Sequence, residues 1–125
     1  MTGYTGNIEE LAIQNKNFRQ VVHTTLYTQL VVMSLNPEEE IGEETHDKVD
    51  QFFRIELGTL KVVMNGEEHI LSEGMVAIVP AGVKHNLINI GPNIAKLYTL
   101  YSPPNHPANT VHITKAEAQA DEHDH

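Results

Sequence analysis

The chain has no cysteine, so neither a disulfide nor a thiolate metal site is open to it. Long apolar runs are also missing; nothing approaches the roughly eighteen consecutive apolar residues of a membrane helix. Bases are scarce, with 8 Lys and Arg against 17 Asp and Glu and a formal charge of −9. A duplex-binding surface needs clustered Lys and Arg, and no such cluster is present. Neither nucleic acid nor an anionic membrane is therefore an expected partner. The first residues, MTGYTGNIEE, lack a basic patch followed by an apolar run, so no secretory signal is read there and the expected location is the cytoplasm. No internal repeat or long linker interrupts the chain.

What is present is short, β-rich and punctuated by turns. At 125 residues the chain has the size of one domain with a single core. Segments rich in β-branched and aromatic residues predict strands near 18–23, 28–35, 51–57, 60–64, 67–71, 75–79, 86–90 and 95–102. Asn65-Gly66 predicts a tight hairpin, because both central residues of that turn need φ > 0. Leu57-Gly58-Thr59 and Gly91-Pro92-Asn93 mark further turns. Short strands at this spacing imply an all-β fold, a closed barrel or a double-sheet sandwich. Only the C-terminal stretch reads as helical: Thr114-Lys115-Ala116-Glu117 has the pattern of a capping box. The expected organisation is a barrel over 1–113, then a short helix and mobile tail over 114–125. The segment from Asn7 to Val22, apolar at Ile8, Leu11, Ile13 and Phe18, reads as an edge strand suited to pairing two copies, so a homodimer is expected.

Residues 74–89 read GMVAIVPAGVKHNLIN. A strand, a stop at Pro80, a reversal at Gly82 and a return strand beginning at His85 account for the spacing. An isolated histidine in such a place is more often a satisfied structural residue than a ligand. The set Gly74, Pro80, Gly82, His85 and Asn89, however, resembles the second sequence motif of the cupin superfamily at every position. The resemblance implies a single-domain β-barrel of the double-stranded β-helix or jelly-roll kind, with motif two forming a hairpin whose histidine binds a metal. It also implies an earlier motif of two histidines, a glutamate and a glycine. The stretch 44–58, ETHDKVDQFFRIELG, fits with substitutions: Glu44 stands at the first histidine position, His46 at the second, Gln51 at the glutamate position, and Gly58 closes the motif.

The metal ligands that the resemblance implies are thus Glu44, His46, Gln51 and His85. The usual cupin set is three histidines and one glutamate, so this set also carries one carboxylate, moved to another corner. In an extended segment Glu44 and His46 point the same way, and Gln51, Phe53 and Ile55 share one face of the next strand. Glu38, Glu39, Glu40 and Glu43 surround Glu44, and a solvated acidic loop is the competing reading for it. Imidazole, carboxylate and amide ligands without sulfur suit one divalent ion per chain, Mn(II) by preference, with Fe(II), Ni(II), Co(II) or Zn(II) as alternatives. His23 and His69 read as surface residues, and His123 and His125 as adventitious chelators on the tail. YSPPNHPANTVH resembles an extension of small bacterial cupins of the mannose-6-phosphate isomerase-like group, which makes Tyr101 and His106 candidates for the barrel mouth. Two functions stand open: an oxygenase- or isomerase-type enzyme acting on a small polar metabolite, or a binding module without turnover.

Overall fold

The computed structural model describes residues 2–123. Its elements are α1 (Ile8–Gln14), β1 (Arg19–Thr24), β2 (Gln29–Leu35), β3 (Asp50–Leu57), β4 (Leu60–Met64), β5 (Glu67–Leu71), β6 (Val76–Val79), β7 (His85–Asn89), β8 (Ala95–Ser102), β9 (Val111–His112) and α2 (Lys115–His123). One sheet has six strands in the order β6-β3-β8-β2-β1-β9, the other three in the order β5-β4-β7. All pairings between strands are antiparallel. The expected all-β architecture with a short C-terminal helix is observed. No helix among the described residues is long and apolar enough to cross a membrane.

Alternation decides which side chains enter the core. Along β3, Gln51, Phe53 and Ile55 are buried while their neighbours are less so. Phe53, Ile55, Leu60, Val62, Leu87 and Leu97 fill the space between the sheets. Register then sets levels across the larger sheet. Val79, Gln51, Tyr101 and Gln29 stand opposite one another on successive strands, and so do Ala77, Phe53, Thr99 and Val31 one step along. A polar level therefore lies above an apolar floor, at one end of the interior.

The turns behave as the sequence requires. Asn65 and Gly66 have φ of +48° and +86° in the β4–β5 hairpin. Gly58 has φ +99°, and a Cβ there would lie 3.0 Å from the Ala95 Cα. Asn89 ties the end of β7 to its surroundings: its amide donates to the Leu35 and Asn93 carbonyls, and its oxygen accepts from the Gly91 N–H.

Three expectations need correction. Residues 74–89 do not form a hydrogen-bonded hairpin, because β6 pairs with β3 and β7 with β4. The turn carries the chain from one sheet to the other. Two of its amides are taken by other segments: Ala81 N donates to Asp50 Oδ1 at the start of β3 and Gly82 N to the His46 carbonyl. The N-terminal segment is not one edge strand. Asn7 accepts from Glu10 N and caps α1, which packs on the larger sheet through Ala12, and the Lys96 ammonium donates to the Asn15 carbonyl beyond it. The mobile tail expected from Asp121 is helical as far as His123, with Thr114 Oγ1 accepting from Glu117 N at the helix start. Asp124 and His125 lie outside the described residues.

Candidate metal centre

Three segments bring the sequence-predicted ligands to the polar end of the barrel. Gln51 comes from β3 and His85 from the first position of β7. Glu44 sits on a strap that bridges to β7, with its N–H donating to the His85 carbonyl and its carbonyl accepting from His85 N–H, both at 2.9 Å. His46 is held two residues further on by the bond from Gly82 to its carbonyl. One ligand atom from each of Glu44, His46 and His85 falls within 4.8 Å of the others. That group is of the kind that holds a metal ion.

The finer geometry concerns which atoms face one another. His46 Nε2 and Glu44 Oε2 are in contact at 2.7 Å. His85 Nδ1 lies 3.0 Å from the Val83 carbonyl, which can only accept, so Nδ1 carries the proton. In the neutral ring Nε2 then presents a lone pair, 3.2 Å from Gln51 Oε1. The Gln51 amide is set by its other end, since Nε2 donates to Thr99 Oγ1 at 3.1 Å. A carboxylate oxygen, two imidazole nitrogens and an amide oxygen therefore crowd together. A cation is the group that relieves such a cluster, and the donor set fits a borderline or hard divalent ion. Holding Nδ1–H on a carbonyl is also how a metal-binding histidine is oriented.

Charge follows the same pattern. Burial alone would raise the Glu44 carboxyl, but contact with His46 and the charges of His46, Arg19 and His85 outweigh it and hold the group below its ordinary value. Burial pushes the Tyr101 phenol up to about 12 and the His106 ring down to about 3, with Arg19 adding to the second effect. Both stay neutral near pH 7 and serve as hydrogen-bonding groups.

Tyr101 and His106 do reach the site. The Tyr101 ring meets the His46 ring edge-on at 6.0 Å between centroids, and its hydroxyl is 3.3 Å from His106 Nε2. The loop bearing His106 is clamped by Gln29, whose oxygen accepts from Asn105 N and His106 N and whose amide donates to the His106 carbonyl. A cleft of about 350 Å³ opens onto the cluster, lined by Glu44, His46, Asn105, His106, His112 and Asp121 among others. His23 stacks on Tyr4, and exposed His69 pairs with Glu67. Both stand apart from the cluster, as their sequence positions suggested. The side chain of His123, on α2, and His125 lie outside the described residues.

Sequence reading missed Arg19, His112, Thr99 and Gln29. Arg19 and His112 are paired in register between β1 and β9, both buried, with Arg19 Nη1 3.3 Å from His112 Nδ1. Alternation along FRQVVH places Arg19 on the same side as Val21, and that was the one signal available.

A sequence profile of the cupin domain matches residues 31–101. The chain belongs to the cupin family. This cupin is 43% identical over 123 residues to the protein YrkC of Bacillus subtilis, a match covering 93% of the chain and 66% of that protein's length. The chain thus spans just under two thirds of that relative. It is 38% identical over 120 residues to protein L612 of Acanthamoeba polyphaga mimivirus, covering 92% of the chain and 74% of the viral protein. The crystal structure of BH2720 from Bacillus halodurans superposes with a TM-score of 0.93 at 38% identity, covering 95% of each chain.

Proposed function

We propose that this cupin binds one divalent metal through Glu44, His46, Gln51 and His85, and that a small polar metabolite meets the ion from the cleft. The observation that carries this reading is the convergence of a carboxylate, two imidazoles and an amide oxygen at one end of the barrel. A weak neutral amide donor alongside a single carboxylate suits a six-coordinate, oxygen-tolerant ion better than tetrahedral zinc, so Mn(II) is the preferred occupant. Such an ion supplies Lewis acidity toward a carbonyl or enediol oxygen. The chain's own part is to hold the ligand set rigid, exclude bulk water on the apolar floor of Phe53 and Val31, and offer Tyr101 and His106 as neutral hydrogen-bonding groups beside the bound molecule.

Oxygenase- or isomerase-type chemistry is the favoured activity, because the cleft leaves the cluster open on one side. A binding module without turnover uses the same geometry but fills every coordination position from the protein. Elemental analysis of untagged protein purified without added metal tests the ion: about one equivalent per chain is expected, and a metal-free, folded protein would refute the site. Proton relaxation of water in the manganese-loaded protein separates the two activities, since an exchangeable metal-bound water is expected only at an open position. We propose in addition that two chains pair as a homodimer.

A further inference from the structure

Gln29 is fully buried and commits its whole side chain to neighbours around the loop after β8. Its oxygen accepts from the Asn105 and His106 N–H groups, and its amide donates to the His106 carbonyl and to Thr24 Oγ1. The His106 backbone is fixed in this way, and its ring lines the cleft beside Glu44, His46 and Asn105. One ring nitrogen is engaged, since Nε2 lies 3.3 Å from the Tyr101 hydroxyl. The other, Nδ1, makes no hydrogen bond among the described residues and is open to solvent.

The surroundings of Tyr101 decide which nitrogen carries the proton. Against the effect of burial, contacts from the Gln51 amide and the Arg19 guanidinium favour the Tyr101 anion, as donors to its oxygen do. A guanidinium has no lone pair, so it cannot receive the phenol proton. The Gln51 oxygen is turned to His85 Nε2. The acceptor left for the Tyr101 proton is His106 Nε2. The ring stays neutral because burial disfavours its charged form, and a neutral imidazole carries a single N–H. That N–H is therefore at Nδ1, the nitrogen without a protein partner.

We propose that His106 is a specificity-determining residue that presents a fixed Nδ1–H donor to the cleft, with Tyr101 as the positioning residue that holds this tautomer. The molecule it selects carries a carbonyl or hydroxyl oxygen where it meets His106, and a group that can only donate is refused there. This rests on the reading above that a small polar metabolite enters from the cleft, and it adds which hydrogen-bonding character that molecule must show.

Long-range ¹H–¹⁵N spectra of the zinc-loaded, diamagnetic protein read each histidine tautomer through the carbon-bound ring protons. The set missing from His106→Phe is that of His106. The wild type should show the Nδ1–H form, and Tyr101→Phe, which has no proton to give Nε2, should mix the two forms. Hydroxyacetone should shift the His106 Nδ1 signal, whereas pyrrole, a neutral ring that only donates, should leave it in place. In calorimetry, His106→Phe should weaken hydroxyacetone binding on the order of tenfold. An Nε2–H form in the unaltered protein overturns the proposal, and so does an Nδ1 signal that excess hydroxyacetone leaves unmoved or that pyrrole moves equally. A folded Tyr101→Phe protein that keeps the pure Nδ1–H form removes Tyr101 as the positioning residue. Zinc analysis of the same samples separates the failures: zinc held with the Nε2–H form removes only the donor, whereas the Nδ1–H form without zinc removes only the metal site.

Discussion

Thr99 takes the Gln51 amide by its nitrogen, which leaves only the oxygen for the centre. Gln51→Glu should therefore retain the metal or tighten it, because an anionic oxygen replaces a neutral one and the Thr99 hydroxyl can turn to donate. It should also lower any activity that depends on Lewis acidity. Gln51→Leu should lower metal content without unfolding the barrel, as the residue already stands over Phe53 and Ile55. His46→Ala and His85→Ala should each lose most of the metal. Metal content and thermal midpoints of these variants check the ligand set, and a Gln51→Leu protein with undiminished affinity removes Gln51 from it. His106 gives a separate test in pH. Its folded value of about 3 lies below its ordinary 6.5, so the unfolded chain takes up a proton that the folded one refuses. The resulting contribution is complete above pH 6.5 and is lost as pH falls toward 3. Urea midpoints between those limits should fall more steeply for the wild type than for His106→Phe, and parallel curves would show that His106 is not the group responsible.

At the level of elements, α2 carries none of the four proposed ligands but holds Asp121 against His112. A chain ending at Ala120 should keep its metal in elemental analysis while the Arg19 and His112 signals broaden in NMR. Loss of the metal would place the site elsewhere. Gly58→Ala should cost about 1 kcal/mol or more in chemical denaturation, since the position has φ +99° and Ala95 stands against it. How much of this was legible beforehand depended on distance along the chain. Strands with two-residue alternation, such as QFFRIEL, and turns with positive φ, such as Asn65-Gly66, declare themselves within a few residues. The motif positions Glu44, His46, Gln51 and His85 were readable for a similar reason, because each motif is a short local spacing. The seven-residue helix α1 was read as strand because its apolar residues fit either period over so short a span. The mistaken 74–89 hairpin and the missed Arg19–His112 pair share a different cause. Both depend on which distant strand lies alongside, and for Arg19 that partner is 93 residues away.

For the molecule as a whole, the outward side of the larger sheet bears on assembly. Ile78, Phe52, Leu100 and Leu30 stand opposite one another across four strands, and Ile78 is 63% exposed. The edge strand β6 adds unpaired backbone next to this row. Light scattering should give about twice the chain mass of 14.0 kDa, and Ile78→Lys should shift it toward one chain with metal content unchanged. A wild type that stays at one chain mass at micromolar concentration would end the dimer proposal. The turn over residues 80–84 has a consequence of its own. It leaves one sheet at Val79 and enters the other at His85, so Gln51 and His85 belong to opposite halves of the sandwich, with Glu44 and His46 on the strap between. A single ion held at their meeting point would act as a clasp: the two halves could not part without releasing it. Mechanical resilience and chemistry would then reside in the same four residues. By mass action, free metal at a hundred times its dissociation constant should add about 2.7 kcal/mol to unfolding, so a chelator that silences the site should also let the sandwich open.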